Sequence, residues 1–244
     1  MREYWESVGN SEPFWGVLTH SEYKSQKELS PLAEQNFFAS GSRDVQFIAE
    51  VLHDHAGTDL STLGQGATFL DLGCGVGRLA VHMARHCSHV VCVDIAASYL
   101  ELLSTTCARR GVGNFSVATL DALLAPSFAL PAACADAPLR LVYSLITLQH
   151  NPPALALALV DRLCALLAPG GFAVLQCPHR IADHTLKDFP DVMQMNFVPQ
   201  QQVIERARAS GCELVAALDE GVDFCGGGGI EDCVYVLRKA AAQG

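Results

Sequence analysis

One stretch constrains this chain more than any other: Thr68-Phe69-Leu70-Asp71-Leu72-Gly73-Cys74-Gly75-Val76-Gly77-Arg78. An apolar run ends in an acid, and three glycines follow at alternate positions. The spacing of Leu79, Ala80, Met83 and Ala84 then suits one face of a helix. The reading is a strand, a tight turn and a helix start. Glycine suits such a turn because it adopts left-handed backbone without steric cost. It also lacks the Cβ that would hold a ligand away from the main chain. The start of the following helix offers free N–H groups to polar or anionic ligand atoms.

The rest of the chain repeats the alternation. A second strand, His89 to Asp94, ends in another acid roughly twenty residues on, where a carboxylate can accept ribose hydroxyls. Asp is also a common residue at helix starts. A helix over 96–110 closes on Gly111, and a third strand over 115–118 leads to Leu120-Asp121-Ala122. A fourth strand, Leu139 to Ser144, runs on into Leu145-Ile146-Thr147-Leu148-Gln149-His150. A leucine-rich helix then ends in Pro169-Gly170-Gly171 before the strand Phe172 to Leu175. Pro cannot continue the helix, and the glycines permit the reversal. A helix from Pro199 and strands at 213–218 and 233–237 close the chain. This order predicts a doubly wound, Rossmann-like α/β sheet, mostly parallel, with ligands at the carboxyl ends of its strands.

Residues 1–41 read as an N-terminal helical cap or lid, and residues 42–244 as the α/β domain. The cap is rich in aromatics: Tyr4, Trp5, Phe14, Trp15, Tyr23, Phe37 and Phe38. Ser30-Pro31 is a helix start, with Ser as cap and Pro in the first turn. Val45, Ile48, Ala49 and Leu52 mark a helix from Ser42 that packs on the sheet. The segment Phe14 to Thr19 is the expected lid, with Trp15 and Tyr23 facing a substrate.

The Asp-Leu-Gly-x-Gly-x-Gly turn and the Pro-Gly-Gly junction resemble those of the class I S-adenosylmethionine (SAM) dependent methyltransferases. The resemblance covers about Ser42 to Lys239. It implies an antiparallel last strand and SAM as cofactor. Asp71, Gly73, Cys74 and Gly75 would then lie along the methionyl part. Asp94 and Ile95 would hold the ribose, Asp121 and Ala122 the adenine, and Ser144 and Leu145 the methyl-transfer edge. Methyl transfer asks mainly for positioning and exclusion of water. A base is needed only where the acceptor is a hydroxyl or a protonated amine. His150, just past the fourth strand, is the candidate base. His179 and His184, on the long connection before the next helix, are secondary candidates for the base, and His179 is expected to face the substrate.

Composition narrows the partners. The 16 Lys and Arg against 26 Asp and Glu give a net charge of −10, with no basic run. Nucleic acid is a poor partner for such a surface, and a small-molecule acceptor is expected. The ten cysteines contain no C-x-x-C pair and sit largely in apolar runs, as buried thiols do in a reducing compartment. His82 and His86 are spaced i, i+4 but lack a third ligand, so no metal is expected. No apolar stretch is long enough to span a bilayer. The expectation is a soluble cytoplasmic enzyme, not bound to a membrane, that moves a methyl group from SAM to an O or N atom. A non-catalytic SAM-binding module is the first alternative. An NAD(P)-dependent oxidoreductase is the second, but the glycine spacing differs from G-x-G-x-x-G.

Overall fold

The computed structural model describes residues 1–182, 194–219 and 229–241. Helices α1 (Arg2–Ser11), α2 (Pro13–Val17), α3 (Pro31–Ala56) and α4 (Leu60–Leu63) precede the first strand, β1 (Thr68–Leu72). Then come α5 (Ala80–Met83), β2 (His89–Asp94), α6 (Ala97–Arg109), β3 (Phe115–Thr119), α7 (Leu120–Leu124) and β4 (Leu139–Ser144). The chain continues with α8 (Pro153–Leu166), β5 (Phe172–Gln176), β6 (Arg180–Ile181) and α9 (Gln200–Ala209). It closes with β7 (Cys212–Leu218), β8 (Ile230–Glu231) and β9 (Val234–Lys239). His184 and Gly226–Gly228 lie outside the described residues.

Seven strands form one sheet in the order β3-β2-β1-β4-β5-β9-β7. β3, β2, β1, β4 and β5 are mutually parallel, whereas β9 pairs antiparallel with both β5 and β7. The last strand therefore runs against the others, inside the sheet rather than at its edge. β6 and β8 form a separate two-stranded ribbon that the sequence pattern did not announce. Two-residue strands carry too little periodicity to be read.

The sheet separates two apolar layers. Phe69, Val90, Cys92, Leu141, Tyr143 and Val174 point to the side of α3 and α6, where Phe37, Ile48, Leu52, Met83 and Leu103 meet them. Leu70, Val91, Val93, Val142, Ala173 and Leu175 point to the other side, against Leu159 and Leu163 of α8 and Val203 of α9. Both faces of β1, β2 and β5 are buried throughout, which is why these strands read as unbroken apolar runs. The reversal order of the sheet, β2-β1-β4, opens a crevice at the carboxyl ends of those strands.

Ser30 caps α3, its Oγ accepting from the Ala33 N–H at 3.3 Å, and Gly57 ends the helix in the left-handed region. One helix thus runs from residue 31 to 56, through Ser42. The apolar face of Val45, Ile48 and Leu52 simply continues the seat of Phe37 and Phe38. α5 has only four residues, and turns occupy residues 75–79 before it. The glycine turn is therefore followed by more turn, not directly by a long helix. Gly75 and Gly77, at alternate positions and both at positive φ, interrupt the helical dihedrals.

Candidate active site

The carboxyl ends of β1, β2 and β4 frame an open cleft. Asp71, Gly73, Cys74 and Gly75 line it from β1 and the turn after it, and Asp94 and Ile95 from the end of β2. Leu145, Ile146, Thr147, His150 and Asn151 form the wall after β4. Met1, Trp5, Gly16 and Val17 cover it, so the first helices act as a roof.

The turn is built around its glycines. Gly73, Gly75 and Gly77 have φ of 77°, 50° and 86°. A Cβ on Gly73 would also stand 2.1 Å from Thr147 Oγ1. Gly73 and Cys74 both donate their N–H groups to the Val93 carbonyl, at 2.8 and 3.1 Å, which ties the turn to β2.

Asp94 completes that tie. Its Oδ2 accepts from the Gly75 N–H at 3.0 Å and its Oδ1 from the Ala96 N–H at 3.1 Å. The carboxylate thus joins the turn to Ala96, the residue just before α6. Burial pushes its pKa up to about 6, and the N–H groups of Ala96, Gly75 and Ile95 oppose that shift.

Asp71 is buried, and its Oδ2 has no hydrogen-bond partner among the described residues. Burial raises its pKa to about 7, with the Tyr143 hydroxyl and the Arg78 guanidinium drawing it back. An unpartnered buried carboxylate oxygen is costly, so this one is suited to a cationic or N–H-donating ligand. Arg78 itself is held by Asp44 at 2.6 Å and by Ser40 Oγ at 3.2 Å.

His150 sits beneath the roof, its ring edge-to-face with Trp5 at 5.3 Å. Its Nδ1 is buried without a partner, and the ring bonds the backbone of Gln194. Burial lowers its pKa to about 4, so the imidazole is neutral near pH 7 and its free nitrogen is an acceptor.

Eight of the sequence-predicted residues therefore meet in the cleft: Asp71, Gly73, Cys74, Gly75, Asp94, Ile95, Leu145 and His150. Six do not line it. Ser144 is buried one step below, where its hydroxyl donates to the Leu72 carbonyl at 3.0 Å and joins β4 to β1. Asp121 is exposed and paired with Arg2 of α1 at 2.5 Å. The Ala122 N–H is taken by Thr119 Oγ1 at 3.2 Å, the cap of α7. Tyr23 is packed edge-on against Phe37 in the core, because Phe14, Phe37 and Phe38 offer it an apolar seat. Trp15 lies against the Lys24 ammonium, 5.5 Å from its ring centre. His179 adjoins β6, its N–H donating to the Glu231 carbonyl at 2.9 Å.

The roof residues were the ones sequence reasoning missed, apart from the Phe14–Thr19 segment, which does cover the cleft through Gly16 and Val17. Trp5 belongs to the aromatic set, but nothing in its spacing distinguishes it from Trp15. Glu6 fastens the roof: its carboxylate accepts from the N–H groups of Ala97 at 2.6 Å and Ser98 at 3.1 Å. An acid at the start of α6 is favoured by both the free N–H groups and the helix dipole. Gly16 lets α2 come close, since a Cβ there would lie 2.1 Å from Tyr99 Oη.

His82, half of the i, i+4 pair, bonds the Phe38 carbonyl at 2.8 Å. Among the described residues no group of three His, Cys, Asp or Glu is placed to hold a metal ion. The nine described cysteines are all free thiols, and eight are buried. Cys225 lies outside the described residues.

Comparison with known proteins matches this architecture. Residues 69–171, from β1 to the Pro-Gly-Gly junction, match the family model described as a methyltransferase domain. Over that stretch the chain is similar to methyltransferase domains. A ubiquinone biosynthesis O-methyltransferase of Xylella fastidiosa is 32% identical over 108 residues, which are 43% of this chain and 39% of that protein. The chain thus spans about two fifths of the length of the curated relatives it matches. Among solved structures, the magnesium protoporphyrin IX methyltransferase of Synechocystis PCC 6803 with bound SAH resembles it with a TM-score of 0.64. The two are 16% identical over 98% of both chains. The [4+2]-cyclase SpnF gives a TM-score of 0.58 at 14% identity over 80% of both. At such identities the likeness is one of fold. The stretch that matches holds the glycine turn, both buried acids and His150 at one end of the sheet.

Proposed function

We propose that the chain is a SAM-dependent methyltransferase acting on an O or N atom of a small molecule. The observation that carries this reading is the buried Asp71 Oδ2, unpartnered at the rim of a glycine turn that a ligand can approach closely. That oxygen fits the α-ammonium of a bound amino-acid moiety. Asp94 keeps lone-pair capacity beyond the N–H groups of Gly75, Ala96 and Ile95, so its carboxylate fits a ribose hydroxyl. SAM, when bound, supplies an activated methyl group on a sulfonium.

The chain's own residues do the rest. The roof of Met1, Trp5, Gly16 and Val17 excludes water from the cleft. The wall after β4 orients the acceptor. His150 lines the cleft, is neutral and has an unpartnered Nδ1; on this reading that nitrogen accepts the proton of an acceptor hydroxyl as the methyl arrives. The name of the Xylella fastidiosa relatives, O-methyltransferases, favours oxygen. Free thiols throughout the described chain suit a cytoplasmic setting.

Calorimetric titration with S-adenosylhomocysteine tests the cofactor. A 1:1 complex of micromolar affinity is expected, and no heat with any adenosyl ligand overturns the reading. Incubation with SAM and a panel of phenols, enols and amines tests the reaction. Tight cofactor binding with no S-adenosylhomocysteine formed across the panel would favour the non-catalytic module.

A further inference from the structure

The backbone turns sharply after β4. Ile146 has φ of 57°, in the left-handed region where a β-branched side chain crowds its own main chain. Such a conformation persists only where its surroundings over-determine it. Here the Ile146 N–H donates to Gln176 Oε1 at 2.7 Å. Gln176 is the last residue of β5 and is fully buried. Its Nε2 donates to the carboxylate of Asp232, also buried, just ahead of β9. A carboxylate only accepts, so it fixes which end of the amide faces Ile146.

The rest of the wall hangs on that turn. Thr147 is closed against Gly73, and its carbonyl accepts from the His150 N–H at 3.1 Å and from Asn151 Nδ2 at 3.0 Å. Neither Gln176 nor Asp232 lines the cleft. They act on it through the main chain of β4's continuation.

We propose that Gln176, oriented by Asp232, is a positioning residue: it holds the left-handed turn at Ile146 and so sets the wall that carries Thr147 and His150. The ligand arm of its test rests on the SAM reading above, and the backbone arm does not.

The backbone arm is hydrogen exchange on the full chain. In Gln176→Leu, exchange within residues 145–151 should quicken about tenfold or more, while the amides of β1 and β2 keep their protection. Uniform quickening across the sheet, or none, overturns the proposal. The ligand arm is S-adenosylhomocysteine affinity by calorimetry. It should weaken about tenfold in Q176L and recover to within about threefold of the parent in Q176L/I146G, because glycine holds positive φ without a strap. A double variant no tighter than Q176L overturns the proposal. Should Q176L fail to fold, Asp232→Asn weakens the orienting bond while keeping its shape. A quickening of about threefold confined to 145–151 is then expected, and unchanged exchange overturns the role. If the parent chain binds no S-adenosylhomocysteine, the cofactor reading falls, and exchange alone judges the strap.

Discussion

The two walls of the cleft solve the same problem in different ways. Both place main chain in the left-handed region beside the cleft. On the β1 side the residue type supplies it, with glycine at 73, 75 and 77. On the β4 side an isoleucine supplies it, held by a glutamine thirty residues further on. The first wall carries its instructions locally and the second borrows them from a neighbouring strand. A local instruction is robust and visible. A borrowed one allows side chains on the wall to vary while the backbone path stays fixed.

The largest effect expected is on the borrowed wall. His150→Ala should lower turnover on an identified hydroxyl acceptor by about 10²-fold or more, the usual range for a general base. Cofactor affinity should stay within a few-fold. Near-normal turnover would reduce that wall to a shape alone. On the other side, Asp71→Asn should weaken S-adenosylhomocysteine binding by about 2–3 kcal/mol, the scale of hydrogen bonds to a charged group. Equal calorimetric affinity in parent and variant would show that the buried acid serves the fold only.

Gly73→Ala sharpens the contrast in stability. It combines positive φ, costing about 1–2 kcal/mol, with a clash against Thr147. Chemical denaturation should report a loss of about 2–4 kcal/mol, overpacking adding to the strain. A smaller loss than that of Q176L would reverse the ranking of the two walls. The smallest change expected is at the roof, where Glu6→Gln should cost about 0.3–1 kcal/mol as the start of α6 loses its anion.

The pH dependence follows from Asp71 and Asp94. Both have folded pKa values raised above the ordinary 3.8, to about 7 and about 6, chiefly by burial. A raised pKa means the folded chain binds protons that the unfolded chain has released. The contribution is full below about pH 4 and is lost as pH rises through 6 to 7. His150, lowered to about 4, contributes the opposite slope below about pH 6.5, so the ligand-free midpoint of thermal unfolding of the parent should fall relative to that of Asp71→Asn between about pH 5 and 8. A ligand ammonium favours the ionised acid, so binding at pH 6 should release protons, seen as a buffer-dependent heat.

How much could be read beforehand follows the same division. The mostly parallel, doubly wound sheet and the Ser30 cap rest on signals within a few residues of each other, whereas the antiparallel last strand came only from the family resemblance. Asp94 shows the limit: its type allowed either a ribose partner or a start for the next helix, and its oxygens hold both Gly75 and Ala96. Tyr23 and Trp5 show another, since an aromatic list cannot say which ring fills the core and which faces the cleft. Asp121 was read as an adenine partner, yet in the structure Arg2, more than a hundred residues away in sequence, pairs with it. Gln176 and Asp232 carried no signal, because a buried amide and acid are meaningful only once the strands that bear them are side by side.

The 26-residue α3 joins the cover to the sheet without a break. Phe37 and Phe38, near its start, bury their rings among those of Phe14 and Tyr23, and Ile48 and Leu52 farther along press on the strands. Severing the chain at residue 41 would cut a rod in mid-length and leave a greasy stump on the remaining piece. Such a fragment should clump rather than behave as a tidy catalytic unit, so the first forty residues are scaffolding as much as shutter.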